Sequence, residues 1–182
     1  MPTLPSPERR HGADRFVCLH TNDWCAHGGV LRMFASVSRL GDGIAWYALM
    51  AAMVLLDGVD GVRASAHMAA TGALALLLYK LLKRWTRRPR PFASDVRIRA
   101  WIAPLDEFSF PSGHTLHAVS FTIVALAYYP ALAWLLLPFT ALVALSRVVL
   151  GLHYPSDVLA ATAIGGGLGA LSLWLGAPLL HG

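Results

Sequence analysis

From His114 to Leu175 the chain reads HTLHAVSFTIVALAYYPALAWLLLPFTALVALSRVVLGLHYPSDVLAATAIGGGLGALSLWL. Three apolar runs lie in it, His114 to Tyr129, Ala131 to Val149 and Val158 to Leu175. Each reaches or nearly reaches the roughly 20 residues that a helix needs to cross a bilayer core. Working outward, Ala64 to Leu82 forms a fourth run. Ile44 to Leu56 is shorter, but extension to Gly41 and Asp57 makes a thin fifth span. The expected fold is therefore all-α, a multi-pass membrane bundle of about five transmembrane helices. Before it, Trp24, Val30, Leu31, Phe34, Val37 and Leu40 recur at helical spacing among polar residues. That pattern fits a helix lying at the membrane interface, or an ordinary amphipathic helix packed on the bundle. The layout is then a tail and amphipathic helix over 1–40 and an embedded domain over 41–182.

Composition supports the same solvent. Of the 182 residues 56% are apolar, and the mean hydropathy of +0.54 exceeds the soluble norm. Residues 1–40 mix Arg, Asp, His and Gly throughout, which is unlike a signal peptide. The net charge is +5. Its basic residues concentrate between Lys80 and Arg99 beside hydrophobic flanks, which favours an anionic lipid head group over nucleic acid. Cys18 and Cys25 are expected as free thiols. With His20 and His27 they match no common zinc spacing, and no metal or cofactor is expected. The glycines Gly165, Gly166, Gly167 and Gly169 follow no strand and precede no Lys-Ser or Lys-Thr, so they read as helix packing rather than a phosphate loop.

If the spans alternate in direction, the ends near Lys83, His114, Arg147 and Asp157 share one membrane face. The first of these pieces runs from Lys83 to Pro91 and holds Lys83, Arg84, Arg87, Arg88 and Arg90. Alone it could be a juxtamembrane patch for anionic lipids. The second, Phe110-Pro111-Ser112-Gly113-His114, opens a helix whose first N–H groups can serve an anion or merely start the helix. In the third, Arg147 near the end of an apolar span calls for a polar interior and an anion. His153 stands four residues before Asp157, so the carboxylate can reach one imidazole nitrogen and leave the other nucleophilic.

These pieces resemble the three signatures of the type 2 phosphatidic acid phosphatase superfamily, which includes lipid phosphate phosphatases and vanadium haloperoxidases. Lys83 with Arg90-Pro91, Pro111 to His114, and Ser146-Arg147 with His153 and Asp157 match in order and spacing. The resemblance runs from about Gly41 to Leu175. It implies that His153 attacks phosphorus to form a phosphohistidine. Asp157 would fix the His153 tautomer, and His114 would protonate the leaving oxygen and later activate water. Lys83, Arg90, Ser112, Gly113 and Arg147 would hold the phosphoryl oxygens, three cations standing where other enzymes use a metal. His67 and His117 match no signature position and are expected to be packing or interfacial residues.

The substrate expected is a lipid phosphate, with a polyprenyl diphosphate such as the undecaprenyl carrier favoured. Phosphatidylglycerol phosphate, phosphatidic acid and lipid A phosphates are the alternatives. A haloperoxidase would be soluble, and a transporter or scramblase would not need the His153–Asp157 pair. The expected location is a bacterial inner membrane. No run before Trp24 could cross a bilayer, whereas many bacterial relatives carry such a span. Of the 15 Lys and Arg, only Arg63 falls on the face opposite the motifs. Short basic loops stay inside, so the charge pattern puts the site on the cytoplasmic face. Bacterial relatives more often work on the outer one. The sequence does not indicate an oligomeric state.

Overall fold

The computed structural model describes residues 7–176. Every regular element among them is helical: α1 (Pro7–Asn22), α2 (Gly28–Arg39), α3 (Ala45–Thr86), a single turn α4 (Pro91–Ser94), α5 (Gly113–Tyr128), α6 (Ala133–Val149) and α7 (Pro155–Leu175). The all-α class is as expected. By length and composition, three stretches could cross a membrane: Gly28–Ser94, Pro130–Val149 and Pro155–Leu175.

The first of these stretches is not one rod. Gly58 adopts φ 53° and ψ −120°, a conformation open to glycine and strained for other residues, and it breaks α3. The Ser65 hydroxyl then donates to the Met50 carbonyl at 2.9 Å. Fifteen residues of straight helix would separate those groups by about 22 Å, so the chain reverses at Gly58. The two arms, 45–57 and 59–86, overlap the two expected runs, the second extending beyond its run at both ends. Their close crossing leaves no room for a Cβ at Gly61, which would sit 1.9 Å from the Met53 carbonyl oxygen.

At the centre stands α5, packed against α3, α6 and α7. Its Leu116, Ala118, Val124 and Ala125 are fully buried. With 16 residues it is about 24 Å long, short for a span but sheathed by its neighbours. Gly165 and Gly169 lie where α7 meets α5; a Cβ at Gly165 would come within 2.6 Å of the Leu116 carbonyl oxygen. This close approach is the packing role expected of the glycine run. The core beside it gathers Trp46, Met53, Met68, Phe121 and Val143. Leu55, Leu56, Trp134, Leu159 and Trp174 are exposed on the outside, where a soluble protein would place polar groups.

Helix α1 is an addition to the expected layout. Its sequence carries no apolar stripe, so docking rather than amphipathic pattern holds it. Asn22 donates to the Arg99 and Val149 carbonyls, both at 3.0 Å, and accepts from the Arg99 amide at 2.9 Å. Cys18 and Cys25 are free and buried. Between α2 and α3 the chain takes a π-helical turn, Leu40–Ile44.

Candidate functional site

The C-terminal ends of α3 and α6 and the N-terminal ends of α5 and α7 meet at one end of the bundle. The turn joining α6 to α7 brings His153 there. Gly151 supplies a positive φ of 75°, and the amides of Leu152 and His153 both donate to the Arg147 carbonyl. His153 is 1% exposed. Its Nδ1 lies 2.6 Å from the Ser109 carbonyl oxygen and so carries the proton as a donor. Its Nε2 faces Arg90 Nη1 at 3.3 Å and keeps its lone pair. Burial first, then the charges of Arg147, Arg90 and Lys83, hold the His153 pKa well below the usual histidine value, so the neutral ring is favoured.

Three cations converge on this histidine, each at most 5% exposed: Lys83, Arg90 and Arg147. Buried guanidinium and ammonium groups need partners, and only for Arg147 is the set incomplete among the described residues. Lys83 Nζ donates to both carboxylate oxygens of Asp106, at 2.6 and 2.7 Å, and to the Phe108 carbonyl at 3.0 Å. Arg90 donates to Asp106 Oδ1 at 2.7 Å and to the Leu152 carbonyl at 2.7 Å. Burial raises the pKa of Asp106, but Lys83 and Arg90 outweigh it and hold the carboxyl below the usual range. Arg147 donates to the Ser38 hydroxyl, while its buried Nε has no partner among the described residues.

A cavity of about 820 Å³ opens over these groups. Lys83, Arg90, Gly113, His114, Arg147 and His153 line its floor. Trp46, Tyr47, Met50 and Leu76 from the two arms of α3 line an apolar wall. Six of the residues expected at the site therefore share one chamber. Ser112 and Asp157 stand behind it. The Ser112 hydroxyl caps α5, accepting from the Thr115 amide at 3.5 Å. Asp157 Oδ2 is 3.7 Å from His153 Nδ1, too far for a hydrogen bond, and instead accepts from the Tyr154 amide at 2.9 Å. In this structure the Ser109 carbonyl, rather than the carboxylate, fixes the His153 tautomer.

Other groups at the site were not singled out by their sequence position. Arg88 Nη1 donates to Asp157 Oδ1 at 2.7 Å and to the Ser156 hydroxyl at 2.8 Å, and Nη2 donates to Asp14 Oδ2 at 2.9 Å. Asp14 of α1 also accepts from the Ser156 amide at 3.0 Å. Helix α1 thus braces the start of α7 through Arg88. Only the spacing of Arg88 within a dense basic run could have marked it, and that run offers several equals. His114 Nε2 lies 2.7 Å from Asp42 Oδ1. His67 packs against the Tyr128 hydroxyl at 3.0 Å, as expected. His117 lines the cavity with its ring nitrogens 2.9 and 3.2 Å from the Gly113 and Gly72 carbonyl oxygens.

Comparison with known proteins gives the family and the fold. The sequence profile of the PAP2 superfamily matches residues 64–178. Undecaprenyl-diphosphatase BcrC of Bacillus subtilis is 28% identical over 121 residues, covering 66% of this chain and 62% of that protein. Decaprenylphosphoryl-5-phosphoribose phosphatase of Mycobacterium tuberculosis is 32% identical over 148 residues, covering 79% of this chain and 78% of that protein. The chain thus spans between three fifths and four fifths of these relatives. Among solved structures, the transmembrane PAP2 type phosphatidylglycerolphosphate phosphatase from Bacillus subtilis superposes with a TM-score of 0.77 at 23% identity, over 95% of this chain and 89% of that one.

Proposed function

Since this chain belongs to the PAP2 superfamily, we propose that it is a membrane phosphatase that hydrolyses a lipid phosphate or diphosphate through a phosphohistidine on His153. The observation that carries this reading is the convergence of three buried cations on a neutral histidine, with the Arg147 Nε still unpartnered. A phosphoryl group is the ligand that such a set fits: it offers several anionic oxygens around one electrophilic centre. The apolar wall beside it suits a lipid tail, so that the head group reaches the cations while the chain stays among helices.

In the proposed reaction His153 Nε2 forms a bond to phosphorus as the bond to the leaving oxygen breaks. Lys83, Arg90 and Arg147 take the charge on the non-bridging oxygens, and the Gly113 amide at the start of α5 adds a donor. His114 protonates the leaving oxygen. It then removes a proton from the water that releases phosphate and returns the electron pair to His153. Ser112 contributes by fixing the turn that presents Gly113 and His114. Asp157, tied to Arg88, supplies a negative charge behind the His153 ring as it becomes cationic.

The substrate we favour is a polyprenyl diphosphate, such as undecaprenyl diphosphate converted to the monophosphate, in a bacterial inner membrane. Two relatives act on prenyl-linked phosphates by name. Phosphatidylglycerol phosphate is the alternative suggested by the structural neighbour. Both arms of α3 together with α5, α6 and α7 would give five crossings.

The test is phosphate release by the purified protein from a panel holding undecaprenyl diphosphate, phosphatidylglycerol phosphate, phosphatidic acid and lipid A phosphates, in a strong chelator. Activity is expected to persist without divalent metal and to be inhibited by vanadate. His153→Ala is expected to lose both turnover and acid-quenched phosphoenzyme. More than a few per cent of activity left in that variant would overturn the nucleophile.

A further inference from the structure

Asp42 lies outside all three motifs, yet it is the carboxylate that touches the second histidine of the site. The π-helical turn Leu40–Ile44 delivers it: Gly41 sits against Val143 of α6, and Gly43 leaves helical geometry at φ 135°. Asp42 Oδ1 then stands 2.7 Å from His114 Nε2, with the His114 side chain 10% exposed and that of Asp42 36% exposed. Both residues line the main cavity and the smaller one of about 190 Å³ beside it. The other charged or titratable groups nearest the ring are Arg147 of α6, His117 of α5 and His153 of the α6–α7 turn. None of these bears a negative charge. Asp106, the other aspartate lining the cavity, is held by Lys83 and Arg90.

We propose that Asp42 is a positioning residue that orients the His114 imidazole and stabilises its protonated form when it acts as proton donor to the leaving group. The inference rests on the reading of His114 as the general acid. An imidazole held at Nε2 by a carboxylate presents Nδ1 to the substrate, and the carboxylate stabilises the protonated ring. As the P–O bond breaks, its electron pair goes to the leaving oxygen, which takes the Nδ1 proton. The Nε2 proton stays toward Asp42. The Nδ1 lone pair so created accepts a proton from the incoming water in the second step. In this way Asp42 fixes the same nitrogen for both transfers.

The experiment uses the full chain in detergent and two substrates that differ in the need for an acid. Short-chain phosphatidic acid has an alkoxide leaving group that requires protonation; p-nitrophenyl phosphate has one that does not. Asp42→Asn is expected to lower kcat on phosphatidic acid on the order of 10- to 100-fold, with KM within about twofold. On p-nitrophenyl phosphate the loss should stay within about threefold. His114→Ala should show the same split, and the double variant should be no slower than His114→Ala alone. Asp42→Glu should recover part of the loss. Asp42→Ser runs in parallel in case the amide disturbs the π-turn.

An equal loss on both substrates, no loss on phosphatidic acid, or a double variant clearly slower than His114→Ala would overturn the role of Asp42. If His114→Ala itself shows no split, the assignment of His114 fails first and the inference falls with it. If the unaltered protein releases no phosphate from any member of the lipid panel or from p-nitrophenyl phosphate, the proposed function fails and takes both with it.

Discussion

His153 illustrates how a residue's surroundings can prepare it before substrate arrives. Deep burial and the cations beside it disfavour its protonated form, so in the free enzyme the ring remains neutral below the ordinary histidine range. A bound phosphate dianion offsets those cations and makes protonation easier. Since kcat/KM reports the free enzyme and kcat the complex, the acid limb of kcat/KM is expected below pH 6.5, at lower pH than the limb of kcat. Both profiles, measured on a soluble aryl phosphate to avoid lipid phase changes, check this. A kcat/KM limb at or above the ordinary value would mean that the ring is not buried among cations in the working enzyme. The same depression has a sign for stability. The unfolded chain protonates this histidine first, so its contribution is intact above pH 6.5 and is lost as pH falls from there toward the depressed value. The residues that sequence made readable are those with no cheap structural reason to be where they are, such as Arg147 at the end of an apolar span. Asp42, Asp106 and Arg88 were not readable in this way. Their positions depend on a π-turn, an irregular loop and a choice among neighbouring arginines, none of which leaves a periodic signal.

Among the elements, the contact between α5 and α7 carries the alignment of the site, because α5 holds His114 and α7 begins just after His153. Gly165 allows that contact. A Cβ there would meet the backbone oxygen of Leu116, which cannot rotate away, whereas a Cβ at Gly166 would meet nothing within 4 Å. Gly165→Ala is therefore expected to cost about 1–3 kcal/mol and to lower activity by shifting His114 against His153. Gly166→Ala should be nearly silent in both. Thermal unfolding in detergent alongside phosphate release distinguishes them, and equal behaviour of the two variants would mean that the helices do not pack through Gly165. The sequence already marked this glycine run as packing, but not which glycines bear the contact. That depends on how α7 is rotated about its axis, and a nearly all-apolar helix carries little amphipathic pattern to reveal it. The break at Gly58 was legible only as a gap between two apolar runs, while α1 left no pattern because it is held by side chains distant in sequence.

At the scale of the whole molecule, the side of the membrane that the chamber faces decides which pool of lipid phosphate it meets. The basic residues gather at the motif end, and from the rule for short loops we propose that this end faces the cytoplasm. Val96, in the loop between α4 and α5, is fully exposed, while Cys18 and Cys25 are at most 1% exposed. Burial, with the nearby charges of Asp14 and Asp157, pushes the Cys18 thiol up to about 12, and burial raises that of Cys25. Both native thiols should therefore react poorly. A Val96→Cys protein is expected to resist an impermeant maleimide in intact spheroplasts and to label after lysis. Labelling before lysis would put the chamber outside.

The brace formed by Asp14, Arg88 and Ser156 also sets an order of assembly. Helix α1 is translated before α7, and its partner at the head of α7 lies 142 residues later. Until α7 is made and inserted, α1 lacks its contact with Ser156 and Asp157 is not yet in place behind His153. Maturation of the chamber therefore waits for α7. A nascent chain halted before Pro155 carries the basic cluster, His114 and His153, yet lacks Asp157 and the assembled centre.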